Sequence, residues 1–261
     1  MRISNKERMD QNMSEFNGKV VLVTGAGNGI GKGIAEKFAK HGANIVVVDY
    51  NKEAGQQSAD ELTQKYQKAI FVQADVSDPQ ASVRMREETF KAFGRIDTIV
   101  LDAGIAYHDT VDEITIEEWN RVIATNLSGF FYTVKAFYND FLTNKGSMVF
   151  ISSGSALTGT GGGVAYPASK AGGEGLMRGL AKELGPKGVN VNAIAPRVIE
   201  SGLLTVNYPT KESQQKLIDQ IAVRRFGQVS DVANLAYFLA DPDNSYIQGQ
   251  TILLDGNRSI R

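Results

Sequence analysis

The 261-residue chain is 42% apolar, and its 28 Lys+Arg against 29 Asp+Glu leave a formal net charge of −1. That balance offers no basic field for nucleic acid and no polybasic patch for a membrane surface. There is no cysteine, which excludes disulfides, thiolate metal sites and cysteine nucleophiles; two histidines, His41 and His108, are too few for a histidine metal cage, so no metal is expected.

The start, MRISNKERMDQNMSEF, is polar and lacks the apolar run of a signal peptide. The expectation is a loose tail over 1–17, then one domain over 18–261, in a cytoplasmic protein. No apolar run approaches the ~18 residues of a membrane span. Short β-branched runs then alternate with helical stretches: KVVLVT (19–24), NIVVVD (44–49), AIFVQAD (69–75), TIVLDAG (98–104), SMVFISS (147–153), VNVNAIAP (189–196) and TILLD (251–255). Most are continuously apolar, as parallel strands covered on both faces are. Between them, GIGKGIAEKFAKHG places Ile30, Ile34 and Phe38 on one helical face, and one long helix is expected from TIEEW through NDFL. SDVANLAYFLAD opens with Ser230 as the expected N-cap. The alternation predicts an α/β fold: a single-domain, Rossmann-like, doubly wound parallel sheet of about seven strands with helices on both faces. Residues 18–150 would form its cofactor-binding half and 151–261 its catalytic and substrate half. The excursion 197–225 has no strand pattern and reads as a lid over the substrate.

TGAGNGIG (24–31) follows the first strand and opens the first helix. There, backbone N–H groups and the helix dipole can hold a pyrophosphate, and glycines allow positive φ and close approach. The loop does not spell G-x-G-x-x-G, and a plain tight turn remains the alternative. The next strand decides between them. It ends in Asp49, 20 residues after Gly29, where an acid bonds the adenosine ribose hydroxyls of a dinucleotide. No arginine stands beside Asp49 to receive a 2′-phosphate, so NAD is the expected cofactor, although Lys32 and Lys52 could still reach such a phosphate.

YPASK sets Tyr166 and Lys170 four residues apart, on one helical face. A phenol is a poor base at neutrality, but a neighbouring ammonium favours its ionised form, so such a pair can take a proton from an alcohol. A surface Tyr–Lys pair is the commonplace alternative.

TGAGNGIG, DAG, ISS and YPASK, in this order and at these separations, resemble the short-chain dehydrogenase/reductases, whose glycine loop reads T-G-x-x-x-G-x-G. The likeness runs from about Lys19 to Gly256 and implies a catalytic set of Asn126, Ser153, Tyr166 and Lys170. Ser153 would hold the reacting oxygen, Asn126 a water linking Lys170 to solvent, and Lys170 the nicotinamide ribose. It also implies cofactor contacts from Thr24, Gly25, Asn28, Gly29, Ile30 and Gly31 in the loop. Further contacts would come from Asp75 and Val76 at the adenine, from Asp102, Ala103 and Gly104, and from Pro196, Ile199 and Ser201 near the nicotinamide. Three positions depart from the family: Asp102 replaces an asparagine that braces neighbouring strands, Asn257 replaces a glycine, and Arg197 replaces the glycine after Pro196. Arg197 would either pair with an anionic substrate group or face solvent. Tyr107, His108, Asp109 and Ser155 are further candidates for a polar substrate pocket, or plain loop residues.

The implied activity is NAD-dependent interconversion of a secondary alcohol and a ketone, on a polyol, sugar or small hydroxy compound, anionic ones included. The alternatives are a 3-oxoacyl-thioester reductase and a catalytically silent nucleotide sensor. The resemblance implies a homotetramer, partly through helices at 115–143 and 166–184.

Overall fold

The computed structural model describes residues 15–200 and 210–259. Seven strands form one parallel sheet in the order β3-β2-β1-β4-β5-β6-β7. They are β1 Val20–Thr24, β2 Asn44–Asp49, β3 Ala69–Gln73, β4 Thr98–Leu101, β5 Ser147–Ile151, β6 Asn190–Pro196 and β7 Thr251–Leu254. The apolar runs explain why both faces are covered. Val20 and Leu22 of β1 enter one core layer with Phe130, Phe137 and Phe150. Val21 and Val23 enter the other with Ile34 and Phe38. Fully burying such side chains stabilises the fold by about 1.5–3 kcal/mol each.

The helices, in chain order, are α1 Gly29–Lys40, α2 Lys52–Lys65, α3 Pro79–Phe93, α4 Ile116–Ile123, α5 Gly129–Asn144, α6 Ser155–Thr158, α7 Ala165–Leu184, α8 Lys211–Ile218 and α9 Val229–Ala240. The first core layer lies under α3, α5 and α7, the second under α1, α2 and α9. The long helix expected around 115–142 is broken by a π-turn, Ala124–Ser128. Its start is fixed by a reciprocal cap, in which Glu118 N–H donates to Thr115 Oγ1 at 3.1 Å and Thr115 N–H to Glu118 Oε2 at 2.9 Å.

Two expectations are corrected. Phe16, placed in the loose tail, is 3% exposed and packs edge-on against Phe38 with ring centroids 4.8 Å apart. The polar residues around it hid one buried ring. Ser230 does not cap α9, which starts at Val229; the cap position lies two residues before Ser230, at Gln228, whose N–H donates to Asp231 Oδ2 at 2.8 Å. Among the described residues of the expected lid, Ile199 bridges Gly227 and the Ala222 N–H donates to the Gly256 carbonyl at 3.0 Å; its later part holds α8, and Leu217 and Ile221 form a small apolar cluster with Phe226 just beyond it. Ser201 lies outside the described residues. No described helix is long and apolar enough to cross a membrane.

From β1 the chain winds outward to β2 and β3, then returns to β4 on the other side of β1. Helices therefore leave β1 and β4 towards opposite faces, and a crevice opens between the C-terminal ends of the two strands.

Candidate active site

The crevice, of about 330 Å³, is lined by Gly25, Asn28, Asp49, Asp75, Val76, Asp102, Ala103 and Gly104, all foreseen from the sequence. At Gly25 and Gly27 its wall is packed too closely for a side chain. Gly25 has φ +71°, and a Cβ there would stand 3.0 Å from the Ala103 backbone. A Cβ on Gly27 would come within 2.7 Å of Asp49 Oδ2. Instead, Gly27 N–H donates to that oxygen at 2.8 Å, and Asn51 N–H donates to Oδ1 at 2.9 Å. The acid is thus pinned at the end of β2, half-buried on the crevice wall. Thr24 is buried; its hydroxyl accepts the N–H groups of Asp102 (3.1 Å) and Ala103 (3.2 Å), tying β4 to β1. It therefore shapes the crevice from behind. Lys32, one of two lysines weighed as phosphate partners, pairs with Glu61 at 2.9 Å.

Sequence reasoning missed several contributors. Tyr50, Ser77, Ile105, Arg121 and Thr125 also line the crevice, and buried Ser58 donates to the Ala26 carbonyl at 2.8 Å, holding the glycine loop from α2. Arg121 and Thr125 stand four apart on one helical face leading to Asn126, a spacing that could have found them.

Next to Gly104 the crevice meets a polar cluster. Lys170 is buried; its Nζ donates to the Ile151 carbonyl at 2.8 Å and lies 5.6 Å from the centre of the Tyr166 ring. A Cβ on Gly104 would stand 3.4 Å from that Nζ and 3.2 Å from Asn126 Oδ1, so the three residues adjoin. Asn126 sits in the π-turn and is fully buried. It accepts the Ile105 N–H (2.8 Å) and donates to the Ile105 carbonyl (2.8 Å) and to Ser169 Oγ (3.0 Å). The π-turn aims this amide at the loop after β4.

Tyr166 is half-buried at the start of α7, against Gly162, whose Cβ would meet its ring at 2.9 Å. Ser153 Oγ donates to Ser155 Oγ at 3.1 Å and accepts the Ser155 N–H at 3.2 Å, which fixes the loop after β5. His108 is exposed, while the carbonyls of Tyr107 and Asp109 flank Gly163.

Pro196 accepts the Gly154 N–H at 2.9 Å. The Ile199 bridge uses the Val198 carbonyl and Glu200 N–H, leaving Ile199's own amide groups outside that pairing. Ile30 is half-buried against the α9-side core, and Gly29 (φ +57°) opens α1. Asn257, in place of a glycine, adopts a left-handed φ of +62°, which asparagine tolerates. Arg197 lines a second cavity, of about 310 Å³, rather than the crevice. Its guanidinium donates to Ser259 Oγ (2.7 Å) and Thr160 Oγ1 (2.9 Å), so it does not simply face solvent.

Asp102, on the crevice wall, has a shifted carboxyl. Loss of hydration pushes its carboxyl up to about 6, against the pull of Lys170 and the Gly31 N–H. Among the described residues no His/Cys/Asp/Glu cluster could hold a metal ion.

A family model described as enoyl-(acyl carrier protein) reductase matches residues 25–256. The chain is 33% identical to the (2S)-[(R)-hydroxy(phenyl)methyl]succinyl-CoA dehydrogenase subunit BbsD of Thauera aromatica, over 93% of this chain and 97% of the relative. It is 34% identical to meso-2,3-butanediol dehydrogenase of Serratia marcescens, over 92% and 94%. It is 36% identical to the 3-oxoacyl-[acyl-carrier-protein] reductase FabG of Staphylococcus aureus, over 91% and 97%.

Proposed function

The chain belongs to the short-chain dehydrogenase/reductase family, and from that membership we propose that it is an NAD(H)-dependent oxidoreductase interconverting a secondary alcohol and a ketone. The observation that carries this reading is the buried Lys170 ammonium beside Tyr166, next to Gly104 of the crevice wall. When bound, the nicotinamide cofactor accepts or supplies the hydride. The chain's own residues move the proton. Tyr166 takes it from the substrate hydroxyl, and Lys170 stabilises the negative charge developing on the tyrosine oxygen. The Ile151 carbonyl and the Asn126 amide keep Lys170 and its surroundings in place. Ser153 donates to the reacting oxygen, its one hydroxyl proton turning to it from Ser155 Oγ while its oxygen keeps accepting the Ser155 N–H.

The glycine walls fit a dinucleotide, since a Cβ at Gly25 or Gly27 would press on the crevice's own lining. Asp49, already fixed by two N–H donors, keeps lone pairs for ribose hydroxyls and repels a 2′-phosphate, which supports NAD. The substrate reading is a polyol, sugar or other small hydroxy compound, in keeping with the butanediol dehydrogenase among the relatives. Exposed Ile116, Trp119 and Phe131 along α4 and α5 support association into a homotetramer.

The test is turnover of NAD⁺ and NADP⁺ with polyols, hydroxy acids and 3-hydroxyacyl thioesters, with Tyr166→Phe as control. NAD⁺ reduction by a small alcohol is the expected result. A second reading, reduction of 3-oxoacyl thioesters, draws on the likeness to FabG; NADPH-dependent activity confined to thioesters would establish it instead.

A further inference from the structure

Where β4 runs out, the chain places an acid on the crevice wall that the proton-transfer scheme does not use. Asp102 is held through its backbone by the Thr24 hydroxyl at 3.1 Å. Its carboxyl turns towards the first turn of α1, where the nearby Gly31 N–H favours the ionised form. The approach is close: a Cβ on Gly31 would come within 2.8 Å of Asp102 Oδ2. The start of α1 is where a pyrophosphate would be held, and the helix has no acid of its own in its first turn. A carboxylate from β4 therefore stands in the field that the phosphates need.

The charged groups facing Asp102 are Lys170 from α7, which favours ionisation, and Asp49 from β2, which opposes it. Thr24 from β1 and the Gly31 N–H from α1 are neutral. Burial outweighs the attractions, so the carboxyl in the free protein loses its proton only near pH 6. Bringing two phosphate charges into the same poorly hydrated crevice disfavours the carboxylate further.

We propose that Asp102 couples dinucleotide binding to proton uptake, its carboxyl being neutral beside a bound pyrophosphate and ionised at neutral pH without one. This rests on the reading of the crevice as a dinucleotide site. Cofactor affinity then falls as the solution becomes more alkaline. An asparagine at this position, as in the family pattern, would carry no such proton.

The experiment is calorimetric titration of the full chain with NADH and with ADP-ribose from pH 6 to 8.5. ADP-ribose keeps the pyrophosphate but has no nicotinamide to report on Tyr166 and Lys170. The wild-type Kd for both is expected to rise about 10-fold or more across that range, approaching tenfold per pH unit, because one proton is linked to binding. Asp102→Asn should bind with a Kd that changes less than about twofold. Titration at pH 7 in two buffers of different ionisation enthalpy should show net proton uptake by wild type, a readout that does not depend on the variant folding. Equal pH slopes in the two proteins, or no proton uptake by wild type, would overturn the proposal while leaving the dinucleotide site intact. Failure of wild type to bind either ligand at any pH would overturn both.

Discussion

The cofactor crevice and the region around Arg197 stand at the same edge of the sheet but are built in opposite ways. Between β1 and β4 the closest-packed stretch of wall is backbone, where Gly25 meets Ala103, and its position is set by N–H groups converging on Asp49 and on the Thr24 hydroxyl. Around Arg197 the walls are side chains: its guanidinium reaches Thr160 and Ser259, and its stem lies against Gly154, whose Cβ would meet it at 3.0 Å. A backbone-built wall leaves no room for variation, because added atoms collide with main chain. A wall built from side chains can be re-cut one residue at a time, which suits the part of an enzyme that chooses its substrate.

That contrast is tested most severely at the junction of the two regions. Tyr166→Phe should lower kcat/KM by roughly 10²–10⁴-fold, the range for loss of a positioned acid/base, while the Kd for NADH stays within about twofold. Steady-state kinetics with parallel fluorescence titration measures both. Turnover close to wild type would remove Tyr166 from the chemistry and leave the crevice as a binding site only.

On the crevice side, half-buried Asp102 gives a stability signature. Asp102 has a folded-state pKa of about 6 against 3.8 for an ordinary aspartate. A raised acid is protonated in both states well below 3.8, so its burial is tolerated there. Stability is lost as pH rises from 3.8 through about 6 and stays lost above it. Asp102→Asn should therefore stabilise the protein at pH 7.5 by up to about 3 kcal/mol, with little gain at pH 3.5. Urea denaturation at both values measures the difference; an equal effect at the two would show that charge is not the cause. Asp49→Ala removes charge-assisted hydrogen bonds worth about 1.5–3 kcal/mol, so KM for NAD⁺ should rise roughly 10–100-fold and preference shift towards NADP⁺. An unchanged NAD⁺/NADP⁺ ratio would mean that Asp49 does not select the cofactor.

How far each region was legible follows from the same difference. The crevice was written locally, since a glycine loop between a strand and a helix, an acid at the next strand end and a Tyr–Lys pair one helical turn apart are short-range patterns with a physical reason for each residue. What escaped reading depends on long-range contact. Ser58 holds the loop from 32 residues away, and Arg197 finds partners 37 and 62 residues distant. The π-turn at Asn126 is invisible in a helical pattern because its neighbours on both sides keep helical spacing. Phe16 could not be separated from a polar tail without knowing that Phe38 and Tyr237 leave a place for its ring.

Arg197 carries the smallest expected effect and decides how the second region works. The sequence allowed it to pair with an anionic substrate, whereas the structure gives it hydroxyl partners on the loop that follows Ser153 and on the C-terminal segment. A strut and an anion receptor respond differently to Arg197→Ala. Loss of a strut loosens the serine loop for every substrate, so kcat should fall a few-fold, about 1 kcal/mol, whatever the substrate's charge. Loss of a receptor should raise KM for anionic substrates alone. Arg197→Lys sharpens the distinction, because an ammonium keeps the charge but cannot span Thr160 and Ser259 with the guanidinium's planar fork. If lysine restored activity on anionic substrates and left the neutral ones impaired, charge would be the property that matters here; the bridge between two hydroxyls predicts that lysine restores neither.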